Sequence, residues 1–340
     1  MELSGELLVG RYAEPGVVRA RLGTGGGTDG GVPGTRKASF AAYSARHARL
    51  YAVREDDEGK IDVLAAEGGW QRLVQVPSSG KLPCHCALDA GERFLAVANY
   101  GSGEVTVFAL DAGTGLPDPD PWHYRGAGQG PDKERQAGPH AHWVGFSPDQ
   151  RWLVSTDLGA DRIRAFPFDP ERGVTGPARE AYIAPAGSGP RWLAFLGDGE
   201  RALLVSELAS TFSLLAWRDG AFELVDTCAT SEAAGEDNLG GHIEVDASET
   251  FAYVTNRGDD TIAVIAIGED SVRHLDAVKS GGSSPRFLCW MDGNRVLLVA
   301  HEEQGPVTGF IRSEDGRLSP AAAVLHVDQA AWMMPWGLSV

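Results

Sequence analysis

One pattern recurs seven times along this chain of 340 residues. It is a short apolar strand ending in a polar residue, then a turn, then a second strand of alternating polarity. The clearest copies are FLAVANYGSGEVTVF from Phe94, WLVSTDLGADRIRAF from Trp152 and FAYVTNRGDDTIAVI from Phe251. The others are LLVGRYAEPGVVRARL near the start, LYAVREDDEGKIDVLA from Leu50, ALLVSELASTFSLLAW from Ala202 and VLLVAHEEQGPVTGFI from Val296. Aligned on the polar end, they place Arg11, Glu55, Asn99, Asp157, Glu207, Asn256 and His301 in one column, at intervals of 44, 44, 58, 50, 49 and 45 residues. A period of roughly 40–50 residues is that of a four-stranded propeller blade. The expected fold is therefore all-β, a single seven-bladed β-propeller domain over residues 1–340.

A second element precedes each copy: LPCHCALD from Leu82, GPHAHWVGF from Gly138, GPRWLAF from Gly189, GGHIEV from Gly240 and SPRFLCW from Ser284, with ASFAAY from Ala38 and PWGLSV at the C-terminus as weaker members. In a propeller this is the innermost strand of each blade, and its start meets the end of the next strand at one rim of the central channel. The first copy has no inner strand before it, and PWGLSV has no partner after it. The last blade is thus expected to be closed by strands from both termini, which removes an exposed sheet edge. The 58-residue interval carries an insertion, Pro117 to Gly138, expected as a long surface loop of the kind that is often functional. Gly23 to Gly34 is expected as a flexible loop inside the first blade.

The formal charge of −17 argues against nucleic acid or an acidic membrane as partner, because either needs a basic face. No run approaches 18 apolar residues and no leader pattern stands at the N-terminus, so a cytoplasmic protein is expected. Cys84, Cys86, Cys228 and Cys289 match no zinc or disulfide spacing and read as buried thiols.

Function in a propeller has to be argued from the channel mouth. There the repeat brings His140, His142, Asp157, Arg191, Glu207, His242, Asn256, Arg257, Arg286 and His301. Any one such group at a strand end is as well explained by hydrogen bonds that fix register. Together, several arginines and histidines about a carboxylate form a cluster that an anion would complete. His85 reads as a satisfied inner-strand histidine, and Trp192 is expected beside Arg191. Gly101-Ser102-Gly103 and Gly187-Ser188-Gly189 open no helix and read as turns, and no GxSxG elbow is present.

The segments PHAHWVGFSPD, STDLGADRIRAF, GSGPRWLAF, SELAST, YVTNRGDDTIAV and ANYGSGEVTVF together resemble the propeller-type 6-phosphogluconolactonases, a family that also holds the fungal 3-carboxy-cis,cis-muconate lactonizing enzymes. The resemblance spans essentially the whole chain in blade order. It implies a hydrolase of a small anionic lactone, with His142, Arg191, Glu207 and Arg257 catalytic and His140, Asp157, Asn256, Arg286, His242 and His301 around the substrate, and with no metal or cofactor. Either His142 or Glu207 serves as general base in that reading. The sequence departs from the family at Trp192, Phe287, His301 and in GGHIEV, which alters the substrate rim. Three alternatives stand beside it: a muconate cycloisomerase, a metal-dependent lactonase with Asp157, Glu207 and Asn256 as ligands, and a non-enzymatic interaction propeller.

Overall fold

A computed structural model describes residues 5–23, 26–67, 69–231, 238–321 and 325–336. Its regular structure is entirely strand, in seven antiparallel sheets that follow one another along the chain, the number the repeat predicts. Six sheets have four strands. The one that begins at Ala141–Phe146 has five, because both Gly173–Val174 and Arg179–Ile183 pair with Arg162–Asp169.

The inner strand is joined to its neighbour by one repeated turn. Asp89 Oδ1 accepts the amides of Arg93 and Phe94 at 2.7 and 2.6 Å. Asp246 Oδ1 does the same for Thr250 and Phe251 at 3.0 and 2.8 Å, and Ser147 Oγ takes the amide of Trp152 at 3.0 Å. A short polar side chain in the turn thereby satisfies the amides that start the next strand. The residue two before that strand is left-handed in each case, with φ of 50° at Glu92, 56° at Gln150 and 54° at Glu249.

Contacts divide the described chain into two compact units, 1–38 with 209–214 and 225–340, and 39–208 with 215–224. In the first unit one core is built from Leu7, Val9, Val18, Val296, Leu298 and Met333, which joins the two ends of the chain in one apolar cluster. In the second unit Tyr51, Val63, Leu95, Val97 and Phe108 form one core and Val154, Leu193, Leu204 and Trp217 another.

The sheet closed by both termini is present, with Gly5–Arg11 paired to Ala330–Trp336. Its C-terminal strand lies earlier than the sequence suggests: Ala330 pairs Arg11 and Trp336 pairs Glu6. Of the expected PWGLSV strand, only Pro335 and Trp336 fall in the described strand, and residues 337–340 lie outside the described residues.

Two expected loops contain strands. Gly27–Gly31 is the outer strand of the first sheet. It has almost no side chain to signal β-structure, yet a Cβ on Gly31 would sit 1.8 Å from Pro15 Cγ, so close approach selects glycine there. Within Pro117 to Gly138, Trp122–Arg125 pairs with Glu104–Ala109 and completes the third sheet. Trp122 and Tyr124 pack edge-on against Phe166 at 5.2 and 4.9 Å, and burial of these rings outweighs the proline-rich surroundings.

Candidate active site

The inner strands share an irregularity that decides which side chains leave the sheet. Pairing slips between Pro83 and His85, Ala141 and Trp143, Pro190 and Trp192, Gly240 and Ile243, and Pro285 and Phe287. Cys84, His142, Arg191, Gly241 and Arg286 are each at such a bulge. A bulge leaves a residue out of the ladder and re-aims its side chain. The unpaired backbone is satisfied locally: Thr156 Oγ1 accepts the Trp143 amide at 3.1 Å and donates to the Arg191 carbonyl at 2.9 Å, and Thr255 Oγ1 accepts the His242 amide at 2.9 Å.

Register also corrects the column of polar strand ends. Asn99, Asp157, Ser206, Asn256 and His301 face the inner strands at equivalent positions, opposite Pro83, Ala141, Pro190, Gly240 and Pro285. Glu207 therefore lies one residue beyond this column, with Tyr100, Leu158, Arg257 and Glu302. The backbone agrees, since the amides of Tyr100, Leu158 and Glu207 bond equivalent carbonyls of Leu82, His140 and Gly189 at 3.0, 2.9 and 2.7 Å. A one-residue slip changes the face a strand residue presents, so the two columns do different work.

The inner column locks strands. Asn256 is fully buried, donating from Nδ2 to the Thr230 carbonyl at 2.8 Å and accepting from Thr230 Oγ1 at 2.7 Å. Asn99 is tied in the same way to Ser78. His301 is held between the Pro306 carbonyl at 2.8 Å and Ser280 Oγ at 3.1 Å. Since a carbonyl only accepts, Nδ1 carries a proton, and burial lowers the pKa of the ring. Asp157 spends Oδ1 on the amides of His140 and Ala160 and Oδ2 on Arg164 Nη1 at 2.7 Å. His242 is buried against Phe287, ring centroids 4.0 Å apart, with Nδ1 accepting the Leu288 amide. Asp157, Asn256, His242 and His301, expected around a substrate, are thus engaged in holding the sheets.

His142, Arg191 and Glu207 come together in the second unit. Glu207 and Arg191 are almost fully buried, and Arg191 Nε donates to Glu207 Oε2 at 2.8 Å. His142 Nε2 stands 3.8 Å from the same oxygen, beyond hydrogen-bond range. The other oxygen, Oε1, accepts from Arg135 Nη2 at 2.5 Å. That guanidinium also reaches Tyr100 Oη at 3.4 Å. Tyr100 stacks on His140 at 4.5 Å and meets His142 edge-on at 5.6 Å. Burial raises the pKa of its hydroxyl, against the opposing pull of Arg135. His140 is anchored by Nδ1–H to the Tyr100 carbonyl at 2.8 Å. Arg135 and Tyr100 were not anticipated: the first sits in the insertion and the second is an aromatic just past a strand end.

Arg257 and Arg286 belong to the first unit and share a carboxylate of their own. Glu302 Oε2 accepts from Arg286 Nη1 at 2.6 Å, and Oε1 from Ser284 Oγ at 2.7 Å, with Arg257 Nη1 at 3.5 Å. Burial works against this carboxylate, yet the two arginines and Ser284 prevail and hold its pKa near about 2. Arg286 also lies over the Tyr12 ring at 5.3 Å. Arg257, Glu302, Ser284, Asp260 and Leu239 line a cavity of about 370 Å³. Glu302 takes the register position that Glu207 takes in its sheet, and the sequence alignment hid it by placing His301 opposite Glu207.

His85 is the satisfied histidine expected of it. Its ring packs on Phe40 and Trp192 at 4.2 and 4.9 Å, and Nδ1 accepts the Val144 amide. Burial and then Arg191 push its pKa down to about 3. Trp192 follows Arg191 in the chain and packs on His85 and Phe40. Gly187 and Gly189 form the turn expected of them, and their amides are both taken by the Asp161 carboxylate. Cys84, Cys86 and Cys289 are buried free thiols, and Cys228 is half-buried. No helix of the described residues is long and apolar enough to cross a membrane.

A family model described as "Lactonase, 7-bladed beta-propeller" matches residues 6–335. A protein of Bacillus subtilis named 6-phosphogluconolactonase is 32% identical over 305 residues, 85% of this chain and 84% of that one. Among solved structures, the periplasmic gluconolactonase of Pseudomonas aeruginosa superposes with a TM-score of 0.87 at 26% identity, covering 98% of this chain and 99% of that one. A Lactobacillus plantarum protein superposes with a TM-score of 0.88 at 27% identity, with coverage of 98% and 99%. With the family model covering nearly the entire sequence, the seven sheets in place and the motif residues assembled as described, this chain belongs to the seven-bladed β-propeller lactonase family.

Proposed function

We propose that the protein hydrolyses a sugar-acid lactone, with 6-phosphogluconolactone as substrate and 6-phosphogluconate as product. The observation that carries the reading is the convergence of His142, Arg191 and Glu207 on one buried point. The similarity to the Bacillus subtilis protein supports the choice of substrate.

His142 is the general base. Glu207 already accepts from a guanidinium on each of its oxygens, which leaves His142 as the group placed to take the proton. An imidazole is the side chain suited to taking and returning a proton. Nε2 of His142 takes a proton from water as its oxygen attacks the lactone carbonyl. The resulting imidazolium faces the Glu207 carboxylate, while the guanidinium of Arg191 offsets the charge that develops on the carbonyl oxygen. Collapse breaks the bond from the carbonyl carbon to the ring oxygen, and the proton passes from Nε2 to that oxygen, leaving a hydroxy acid. Arg257 and Arg286 are both braced by Glu302 in their own unit. The buried free thiols suit a cytoplasmic setting.

The test is to assay 6-phosphogluconolactone, unphosphorylated gluconolactone and carboxymuconate side by side with wild type and His142→Ala. Loss of the base is expected to slow lactone hydrolysis by about 10²–10⁴-fold. Undiminished hydrolysis in His142→Ala would remove His142 from the reaction. Turnover of carboxymuconate alone would replace hydrolysis by cycloisomerisation.

A further inference from the structure

The second guanidinium on Glu207 arrives from the insertion in the longest repeat interval, and it is delivered by a built scaffold. Asp132 Oδ1 accepts the amides of Glu134 and Arg135 at 2.8 and 3.0 Å. The Gln136 amide returns to the Asp132 carbonyl at 2.8 Å. Gln136 itself is fully buried and donates from Nε2 to the Leu158 carbonyl and to Asp161 Oδ1, both at 2.8 Å. Upstream, Arg164 Nη2 holds the Ala127 carbonyl at 2.6 Å. The backbone on either side of Arg135 is therefore pinned to the hairpin that follows Asp157.

The two cations on Glu207 differ in accessibility. The Arg191 side chain is 3% exposed and that of Arg135 is 35% exposed. A buried partner with a fixed geometry stays where it is. The Arg135 guanidinium is open to solvent while the carboxylate that it holds is buried, so a ligand's anion can approach this cation from the solvent side. An anion carried by a ligand can therefore displace Glu207 Oε1 from Arg135 without disturbing Arg191. Arginine is suited to this exchange, since its planar fork meets a phosphate through two parallel hydrogen bonds.

We propose that Arg135 recognises a phosphate monoester on the substrate by exchanging its contact with Glu207 Oε1 for the phosphate oxygens. The inference rests on the lactone-hydrolysis reading and adds to it the residue that discriminates phosphorylated from unphosphorylated lactones. It also couples recognition to the site. Once Arg135 moves to the phosphate, Glu207 is held through Oε2 by Arg191, and Oε1 is released. A lactone without phosphate leaves the Arg135–Glu207 pair closed.

The experiment measures kcat and KM of wild type, Arg135→Gln and Arg135→Lys on 6-phosphogluconolactone and gluconolactone. In parallel, calorimetry measures binding of 6-phosphogluconate and gluconate to the same proteins, and thermal unfolding checks that the variants fold. In Arg135→Gln the preference for the phosphorylated lactone, as a ratio of kcat/KM values, is expected to fall about 10–100-fold, the scale of a lost charge-assisted contact. Arg135→Lys is expected to restore part of it. Equal losses on both lactones would show that Arg135 only neutralises Glu207, and would overturn the proposal, as would an unchanged ratio. A wild type inactive on both lactones sinks the hydrolysis reading instead. The calorimetry still decides the role of Arg135, by whether wild type binds 6-phosphogluconate more tightly than Arg135→Gln does.

Discussion

The Arg191–Glu207 pair can be tested as a unit by a double-mutant cycle of Arg191→Met and Glu207→Gln. Both side chains are at most 3% exposed, and they meet at 2.8 Å. Removing Glu207 strands Arg191, and removing Arg191 leaves the buried carboxylate with Arg135 alone; breaking such a buried pair costs up to about 3–5 kcal/mol. For 340 residues, an unfolding entropy of about 2.1 cal/mol/K per residue gives about 0.7 kcal/mol/K, so each single variant should melt up to about 4–7 °C lower. The double variant carries neither charge and should lose much less than the two single losses combined. The expected coupling is therefore at least about 2 kcal/mol, well above the roughly 0.5 kcal/mol scatter of independent sites. Arg135→Ala serves as the comparison: its own side chain is 35% exposed but it bonds the same buried carboxylate, so it should cost less than the loss of Arg191. Thermal and urea unfolding at pH 7 and fixed protein concentration provide the readout. If the single losses simply add in the double variant, Arg191 and Glu207 are not a mutually dependent buried pair, and the geometry assigned to the site is wrong.

Two further outcomes follow from the same structure. Asn256→Ala removes a fully buried amide bonded to Thr230 and should destabilise the fold by about 1–3 kcal/mol, while kcat/KM of the remaining folded protein stays within twofold. A selective rise in KM without loss of stability would return Asn256 to the substrate site. Glu302 gives a pH signature. Its folded pKa is depressed to about 2 from an ordinary 4.5, so its stabilising contribution is complete above pH 4.5 and disappears as pH falls towards 2. Acid titration of Glu302→Gln by circular dichroism should show a shallower loss of stability across that window. An acid limb as steep as that of wild type would mean that the carboxylate is not held by Arg257 and Arg286.

Much of the architecture was legible because blade folding is local. Each hairpin is written in consecutive residues, so apolar alternation and turn spacing revealed seven sheets, and the unpaired ends of the chain revealed the closure of Gly5–Arg11 by a C-terminal strand. His142, Arg191 and Glu207 were singled out by the PHAH, GPR and EL segments that resemble the family, and the structure brings their three side chains together. The Gly27–Gly31 and Trp122–Arg125 strands were not, because their pairing partners stabilise them more than their own composition does.

What the sequence by itself determined is the repeat, and with it the number of sheets and the set of ionisable groups at their ends. Tertiary structure alone decided which of those groups are available for chemistry. A single-residue shift in register, invisible in an apolar pattern such as ALLVS, separates Ser206, in the column that locks neighbouring strands, from Glu207, which stands beside His142 and Arg191. Bulges at His142, Arg191 and Arg286 turn those side chains out of the ladder. Arg135, 72 positions from Glu207, reaches it only because a buried glutamine fixes the intervening loop. Periodicity records which face a residue occupies within its own strand. It does not record which distant side chain will meet it there, since that depends on register, bulges and loop path acting together.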